Sequence, residues 1–286
     1  MNILANVIIP GLMLGGIYAL VSVGLSLQYG VARVMNIAHG EFIMVGAFVT
    51  FFLLSSVHLN PLVSIVVTGP LCFVLGWVLY ATLFRRLMDT SATIDIFEGK
   101  SLLATFGLYY VVQNVARLMW GSNNKGYTFL NRALTRAEIP VNRLVALGFV
   151  IVFGTLLYFF LARTRIGKAI RASAQDPSTA GLMGVNIHTV LAVCFALGVA
   201  LAGIAGTLIS TIMNIQTSMG LSYTVIAIIV VVLGGMGSIS GAMIGGVVLG
   251  MVSAIMTYLQ PSWTSIAYYV IFIVLLLARP KGIMGK

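Results

Sequence analysis

Successive apolar runs, most of them near the ~20 residues that a helix needs to cross a bilayer, constrain this chain more than any motif it carries. They cover residues 6–28, Phe42 to Val57, Leu62 to Phe84, Ser101 to Met119, Leu144 to Ala162, Leu191 to Met213, Val225 to Leu233, Ala242 to Tyr258 and Ile266 to Ala278. A chain of 286 residues that is 60% hydrophobic and only 8% charged has too much apolar surface to hide from water. The expected fold is an all-α, polytopic membrane helix bundle with roughly eight or nine membrane segments, some broken or half-length. The runs leave no room for a separate soluble domain. Residues 1–286 therefore read as one transmembrane domain, with a polar segment at 163–190 projecting from it.

Charge placement speaks for topology. The net charge of +10 could suit nucleic acid, but the basic residues lie in short intervals at the ends of apolar runs, the pattern that orients membrane proteins. With segment 163–190 inside, alternating spans put Arg33, Arg85, Arg86, Lys100, Arg163, Arg165, Lys168, Arg171, Arg279, Lys281 and Lys286 inside. They put Arg117, Lys125, Arg132, Arg136 and Arg143 outside. That excess predicts a cytoplasmic C-terminus. No Lys or Arg precedes Arg33, so the first run lacks the basic start of a cleaved signal peptide and is expected to be a retained span. Cys72 and Cys194 both fall in apolar runs, which favours packing over a disulfide, and no metal-ligand spacing is present.

Segment 163–190 has its own logic. Arg163, Arg165, Lys168 and Arg171 lie on one side of an Ala-rich helical pattern, and a second helix restarts at Asp176-Pro177. Asp176 suits a helix N-cap and Pro177 the first helical position, while Gly184 falls where a helix end takes a left-handed residue. Two short helices with a tight corner follow, either a contact surface for another protein or a solvated loop.

Two further stretches interrupt the apolar pattern. In Asn36-Ile37-Ala38-His39-Gly40-Glu41 an acid and an imidazole fall at the start of a membrane helix. An ionised Glu inside a bilayer costs ~2.5–3.5 kcal/mol on insertion scales, so Glu41 needs a partner, a cavity or water. It either caps the first turn, bonding to His39 or to backbone amides, or shapes a polar path and the joint that opens it. In Leu233-Gly234-Gly235-Met236-Gly237-Ser238-Ile239-Ser240-Gly241 the glycines break a helix, and the hydroxyls of Ser238 and Ser240 are expected to satisfy the carbonyls so released. Gly241, Gly245, Gly246 and Gly250 then repeat as small residues, for close packing or for lining a passage. No Gly-Lys-Ser/Thr ending makes this a nucleotide loop.

Taken together, VMNIAHGEFIMVGAF, RTRIGKAIRASAQDPSTAGLMGVN, VVVLGGMGSISGAMIGGVVLG and ARPKGIMGK resemble, in order and across nearly the whole chain, the permeases of branched-chain amino acid ABC importers of the LivH type and their urea and amide relatives. The resemblance implies a permease of a bacterial-type cytoplasmic membrane that moves small solutes by alternating access. Its implied partners are cytoplasmic ATP-binding subunits, a second related permease and an extracytoplasmic solute-binding protein, with membrane lipid around it. It implies no catalysis and no cofactor on this chain, with ATP-Mg on the partner subunits. It also implies that Arg163, Arg165, Lys168, Arg171, Asp176, Pro177 and Gly184 form the ATPase-coupling surface. Asn36, His39, Glu41, Gly234, Gly235, Gly237 and Ser238 then belong to the translocation path or its gate. Many relatives carry a basic residue and a Thr where this chain has Ile226 and Ile229, which points to a more apolar passage. The interval with Lys125, Tyr127, Phe129, Arg132, Arg136 and Glu138 is the expected dock for the binding protein.

Two other classes compete. An ion-coupled secondary transporter would use intramembrane acids and repeated broken helices, and here Glu41 alone lies near membrane depth. A hydrolase would need a nucleophile with a positioned base. Ser240 lies in no Gly-x-Ser-x-Gly elbow, and His39, His58 and His188 show no local pairing with it.

Overall fold

The computed structural model describes residues 7–130, 132, 140–279 and 282–284, and no strand occurs among them. Arg136, Glu138, Lys281 and Lys286 lie outside the described residues. The first helices are α1 (Ile9–Gly30), α2 (His39–Val57) and α3 (Ile65–Leu79), the last continuing through a π-turn, Tyr80–Phe84, into α4 (Arg85–Asp89). There follow α5 (Ile94–Trp120), α6 (Val141–Arg163), α7 (Arg165–Gln175) and α8 (Pro177–Leu182). The chain closes with α9 (Ile187–Ser210), α10 (Met219–Gly234), α11 (Ile239–Leu259) and α12 (Thr264–Ala278).

Seven of these segments are long and apolar enough to cross a membrane: α1, α2, α3 with α4, α6, α9, α11 and α12 with the turn before it. The apolar α10 is shorter, and the 27-residue α5 is long enough but carries Gln113, Asn114 and Arg117. With these two, the polytopic helical bundle expected from the apolar runs is what the chain forms. One boundary differs. Helix α5 begins well before Ser101, because the Thr93 hydroxyl accepts the Ile96 N–H and Asp95 stands in the first turn, where the helix dipole favours an acid.

Helices α1 and α9 form the centre and are buried along most of their length. Lipid offers no hydrophobic reason for helices to associate, so close contact through small residues has to supply it. Helix α11 runs antiparallel to α1, with Gly250 on Gly15 and Gly246 on Ala19, and α3 runs antiparallel to α9, with Cys72 on Gly203 and Ala196 beside Gly76. Thr50, Thr68 and Thr207 join α2, α3 and α9 by hydroxyl contacts of 2.9 and 3.0 Å in the buried interior.

The chain also repeats one local design. Helix α1 ends, residues 31–38 run without helix, and α2 starts; helix α9 ends, residues 211–218 do the same, and α10 starts. The pairs run in opposite senses, since Gly24 of α1 packs on Gly198 of α9 while Gln28 reaches back to Phe195. Gly40 and Gly220, each second in its helix, meet where the two breaks converge.

Candidate functional site

Residues 31–38 leave helical geometry yet stay inside, with Val31, Ala32, Val34, Asn36 and Ala38 buried. Non-helical backbone at this depth needs partners for its polar groups. Thr105 of α5 accepts the Ile37 N–H at 3.2 Å and donates to Met35 O at 2.9 Å. Thr224 of α10 accepts the Gly40 N–H at 2.8 Å and donates to Ile37 O at 2.9 Å. Gln28 is the third support: its Nε2 donates to Phe195 O at 3.2 Å and its Oε1 accepts from Asn36 Nδ2 at 3.0 Å. His39 Nε2 lies 3.0 Å from Val21 O and so carries the ring proton, and its Nδ1 lies 3.2 Å from Gln28 Oε1.

Glu41 stands in the first turn of α2, as expected, and is fully buried. The expectation that it bonds to His39 or to backbone amides is corrected. Neither carboxylate oxygen has a hydrogen-bond partner, and His39 donates to Val21 O instead. The carboxylate fills the space beside Gly220, where an added Cβ would come within 2.9 Å of Oε2. It therefore sits between the starts of α2 and α10, whose dipoles favour negative charge. Neither helix has a side-chain cap of its own.

The glycine cluster ends α10 at Gly234 and turns the chain into α11, with Gly235 at φ +101° and Gly237 at φ +81°. Here too one expectation is corrected. The carbonyls released at Leu233 and Gly234 accept backbone N–H groups from Ile283 and Met284, at 2.9 and 3.0 Å. Ser238 instead caps α11, its Oγ accepting the Gly241 N–H at 3.0 Å. Gly241, Gly245, Gly246 and Gly250 all serve close helix contact. The break reaches the first one, because an added Cβ on Gly30 would lie 2.6 Å from Gly237 Cα. Two stretches far apart in sequence thus form one joint.

Segment 163–190 folds as the two short helices expected. Helix α7 buries Gly167, Ile170 and Ser173 and leaves Arg165, Lys168 and Arg171 exposed, with Arg163 exposed just before it. Arg171 donates to Leu161 O. Asp176 caps α8, Pro177 is its first residue, and Gly184 takes φ +85° past its end. Beside this corner Leu182 and Met183 are 88% and 82% exposed. Hydrogen bonds from Thr179 and Ser178, side chain and backbone, hold the Asp176 carboxyl down to about 2 from its ordinary 3.8. A depressed carboxyl contributes its cap above the unfolded value, so the cap persists at neutral pH and is lost as pH falls from about 4 toward 2. Asp176→Ala should therefore give severalfold faster amide exchange at Ser178 to Ala180 at neutral pH, with Asp176→Asn close to the parent. Equal exchange in all three proteins would remove the cap from the account.

Sequence reasoning passed over Gln28, Thr105 and Thr224 as site residues, and it missed the break at 211–218. The polar run Asn214, Gln216, Thr217 and Ser218 was its available signal. That break borders a pocket of about 260 Å³ with Tyr18, Asn214, Gln216, Ser222, Tyr223 and Ile226 in its wall. Two contacts tie the break and the end of α9 to the interval after α5: Lys125 pairs with Ile215, and the Tyr127 hydroxyl meets Ser210 Oγ at 2.8 Å.

The family model described as "Branched-chain amino acid transport system / permease component" matches residues 7–278. The high-affinity branched-chain amino acid permease protein LivH of Salmonella typhimurium is 29% identical, covering 96% of this chain and 94% of that one. BraD, a permease protein of the same description from Pseudomonas aeruginosa, is also 29% identical, over 98% of this chain and 95% of its own. A probable LivH of Methanocaldococcus jannaschii is 28% identical over 93% and 88%. Non-helical backbone at membrane depth persists only where protein surrounds it or it lines a water-filled cavity, and polar side chains from several helices hold this joint inside the bundle. With the match spanning nearly every helix described above, the chain belongs to the family of branched-chain amino acid transport system permease components.

Proposed function

We propose that this permease component is one membrane half of an ATP-driven importer for branched-chain amino acids or related small polar solutes such as amides or urea. The observation that carries the reading is the α7–α8 pair: a capped, preorganised corner flanked by exposed cations, with Leu182 and Met183 bare at its tip. Bare apolar side chains rimmed by charge suit a protein partner. Cytoplasmic ATP-binding subunits press on this corner and hydrolyse ATP-Mg, and this chain hydrolyses nothing. The corner, Arg85, Arg86 and the C-terminus face the cytoplasm of a bacterial-type cell, in its inner membrane.

Closure of the partner subunits moves α7 against α6 and α9, and the motion reaches the joint at Gly30 and Gly237 and the convergence of Gly40, Glu41 and Gly220. There the path opens by alternating access. Helix α5 supports a second, related permease as neighbour, since it packs weakly on its own bundle and leaves Leu118 87% exposed. The residues around Lys125 and Tyr127 receive an extracytoplasmic solute-binding protein. Ile226, in the wall of the pocket beside the 211–218 break, makes that passage more apolar than the basic residue of many relatives would. The ion-coupled alternative draws no support from these relationships.

Mild-detergent purification with identification of bound proteins is the first test. An ATP-binding subunit should accompany the parent chain and be lost from Leu182→Asp with Met183→Asp. A chain that comes out alone, yet drives ion-dependent uptake in vesicles, would overturn the reading. In the assembled importer, Arg171→Glu combined with Asp176→Ala should uncouple ATP hydrolysis from uptake while the chain stays inserted. Solute-stimulated hydrolysis with normal uptake would remove the corner from the mechanism.

A further inference from the structure

Where α1, α6 and α11 meet, an open groove of about 540 Å³ runs along the outer side of the bundle. Its wall is almost wholly apolar, built from residues such as Leu20, Val150, Ile151, Met243 and Val247. Ile151 and Tyr158 on its rim are more than half exposed, so the groove opens to the outside of the bundle. It follows α1 from Leu12 to Val23, about 16 Å, and α6 from Leu147 to Leu161, about 21 Å, at 1.5 Å per helical residue. One leaflet of hydrocarbon, half of a ~30 Å core, is about as long as the α1 side and somewhat shorter than the α6 side.

The charge is confined to one end. Arg171 closes the groove beside Ala162, Ile239 and Ser240, and no carboxylate lines it. The bond from Arg171 to Leu161 O holds the guanidinium at that end and leaves further N–H donors free. Arg165 and Lys168 lie exposed on the same amphipathic helix. A basic amphipathic helix across the end of an apolar, chain-length groove matches the chemistry of an anionic lipid, with phosphate at the cations and hydrocarbon below.

We propose that this groove seats one acyl chain of an anionic phospholipid, whose phosphate is held by Arg171 and the Ser240 hydroxyl. The lipid would touch α7, the start of α11 and the second half of α1, the three elements between the exposed corner and the Gly30–Gly237 joint. The proposal rests on membrane placement and not on partner coupling, so the two fail separately.

The test uses the full chain, with whatever subunits accompany it, reconstituted in equal parts of phosphatidylglycerol and phosphatidylethanolamine, re-extracted in mild detergent and weighed by native mass spectrometry. The parent should retain one phospholipid per chain, enriched in phosphatidylglycerol. Arg171→Gln should lower that enrichment about fivefold, the effect of one basic residue near a headgroup. Gly154→Trp fills the groove, since an added Cβ there meets only Met243 Cε at 3.9 Å, and should lose both lipids. Equal retention of the two lipids by the parent, an unchanged ratio in Arg171→Gln, or undiminished lipid in Gly154→Trp would each overturn the proposal. So would efficient cross-linking of Gly154→Cys to another subunit, which would make the occupant a protein helix. Should Gly154→Trp fail to fold, the ratio in Arg171→Gln decides alone.

Discussion

Gly40→Ala is expected to cut the yield of monodisperse, detergent-extracted protein below about a tenth of the parent's, because overpacking is costly when backbone must yield. The added Cβ would run into the Gly220 carbonyl group and come within 2.6 Å of Thr224 Oγ1. No rotamer change relieves a contact with backbone, so α2 and α10 would have to separate. Separation breaks the bonds through Thr224 to Gly40 N–H and to Ile37 O, which hold the break. It would also open the seat of Glu41 against Gly220. Gly148→Ala, in α6, makes the same change in a membrane helix where an added Cβ meets nothing within 4 Å. Its yield should equal the parent's. Size-exclusion profiles of the two variants read the difference, and a parent-like Gly40→Ala would mean that α2 and α10 do not touch there.

Gln28→Leu should destabilise the same break by a different route. The two side chains are close in volume, so packing changes little and the polar contacts carry the result. Losing the amide leaves Asn36 Nδ2 unpaired in the buried interior and removes a second bond from Phe195 O, a carbonyl within α9. A buried group left unpaired costs about 1–3 kcal/mol. That is a sizeable part of the whole stability of a typical domain, about 5–15 kcal/mol. Thermal unfolding in detergent compares the two proteins, and a leucine variant that melts with the parent would mean the network does not hold the break.

What could be read in advance followed the range of the interactions. The corner in segment 163–190 was legible because capping is local: Asp176 bonds to Ser178 and Thr179, and Gly184 meets its own backbone requirement. The apolar runs were legible because spanning length and hydropathy are properties of single segments. Glu41 was legible as a first-turn acid, but its surroundings were not, since they come from Gly220 on another helix. The same holds at the glycine cluster. The break showed in the composition, whereas its carbonyls went to Ile283 and Met284 rather than to the nearer serines. The break at 211–218 escaped notice because its polar residues follow a run, Leu191 to Met213, long enough to read as a complete span.

The chain's order of residues by itself determined that this protein would be a bundle of membrane helices, that those helices break near Asn36 and at the glycine cluster, and where two short capped helices interrupt them. Those outcomes follow from hydrocarbon thickness, from the backbone's need for hydrogen bonds, and from Gly, Pro and Asp acting on near neighbours. Only the tertiary structure decided that the breaks at Gly30 and Gly237 form one joint and that Gly40 and Gly220 enclose a buried acid. It also decided that a lipid-length groove ends at Arg171. Each depends on small residues letting distant helices approach to backbone contact, and spacing along one helix does not reveal which partner will fill the space.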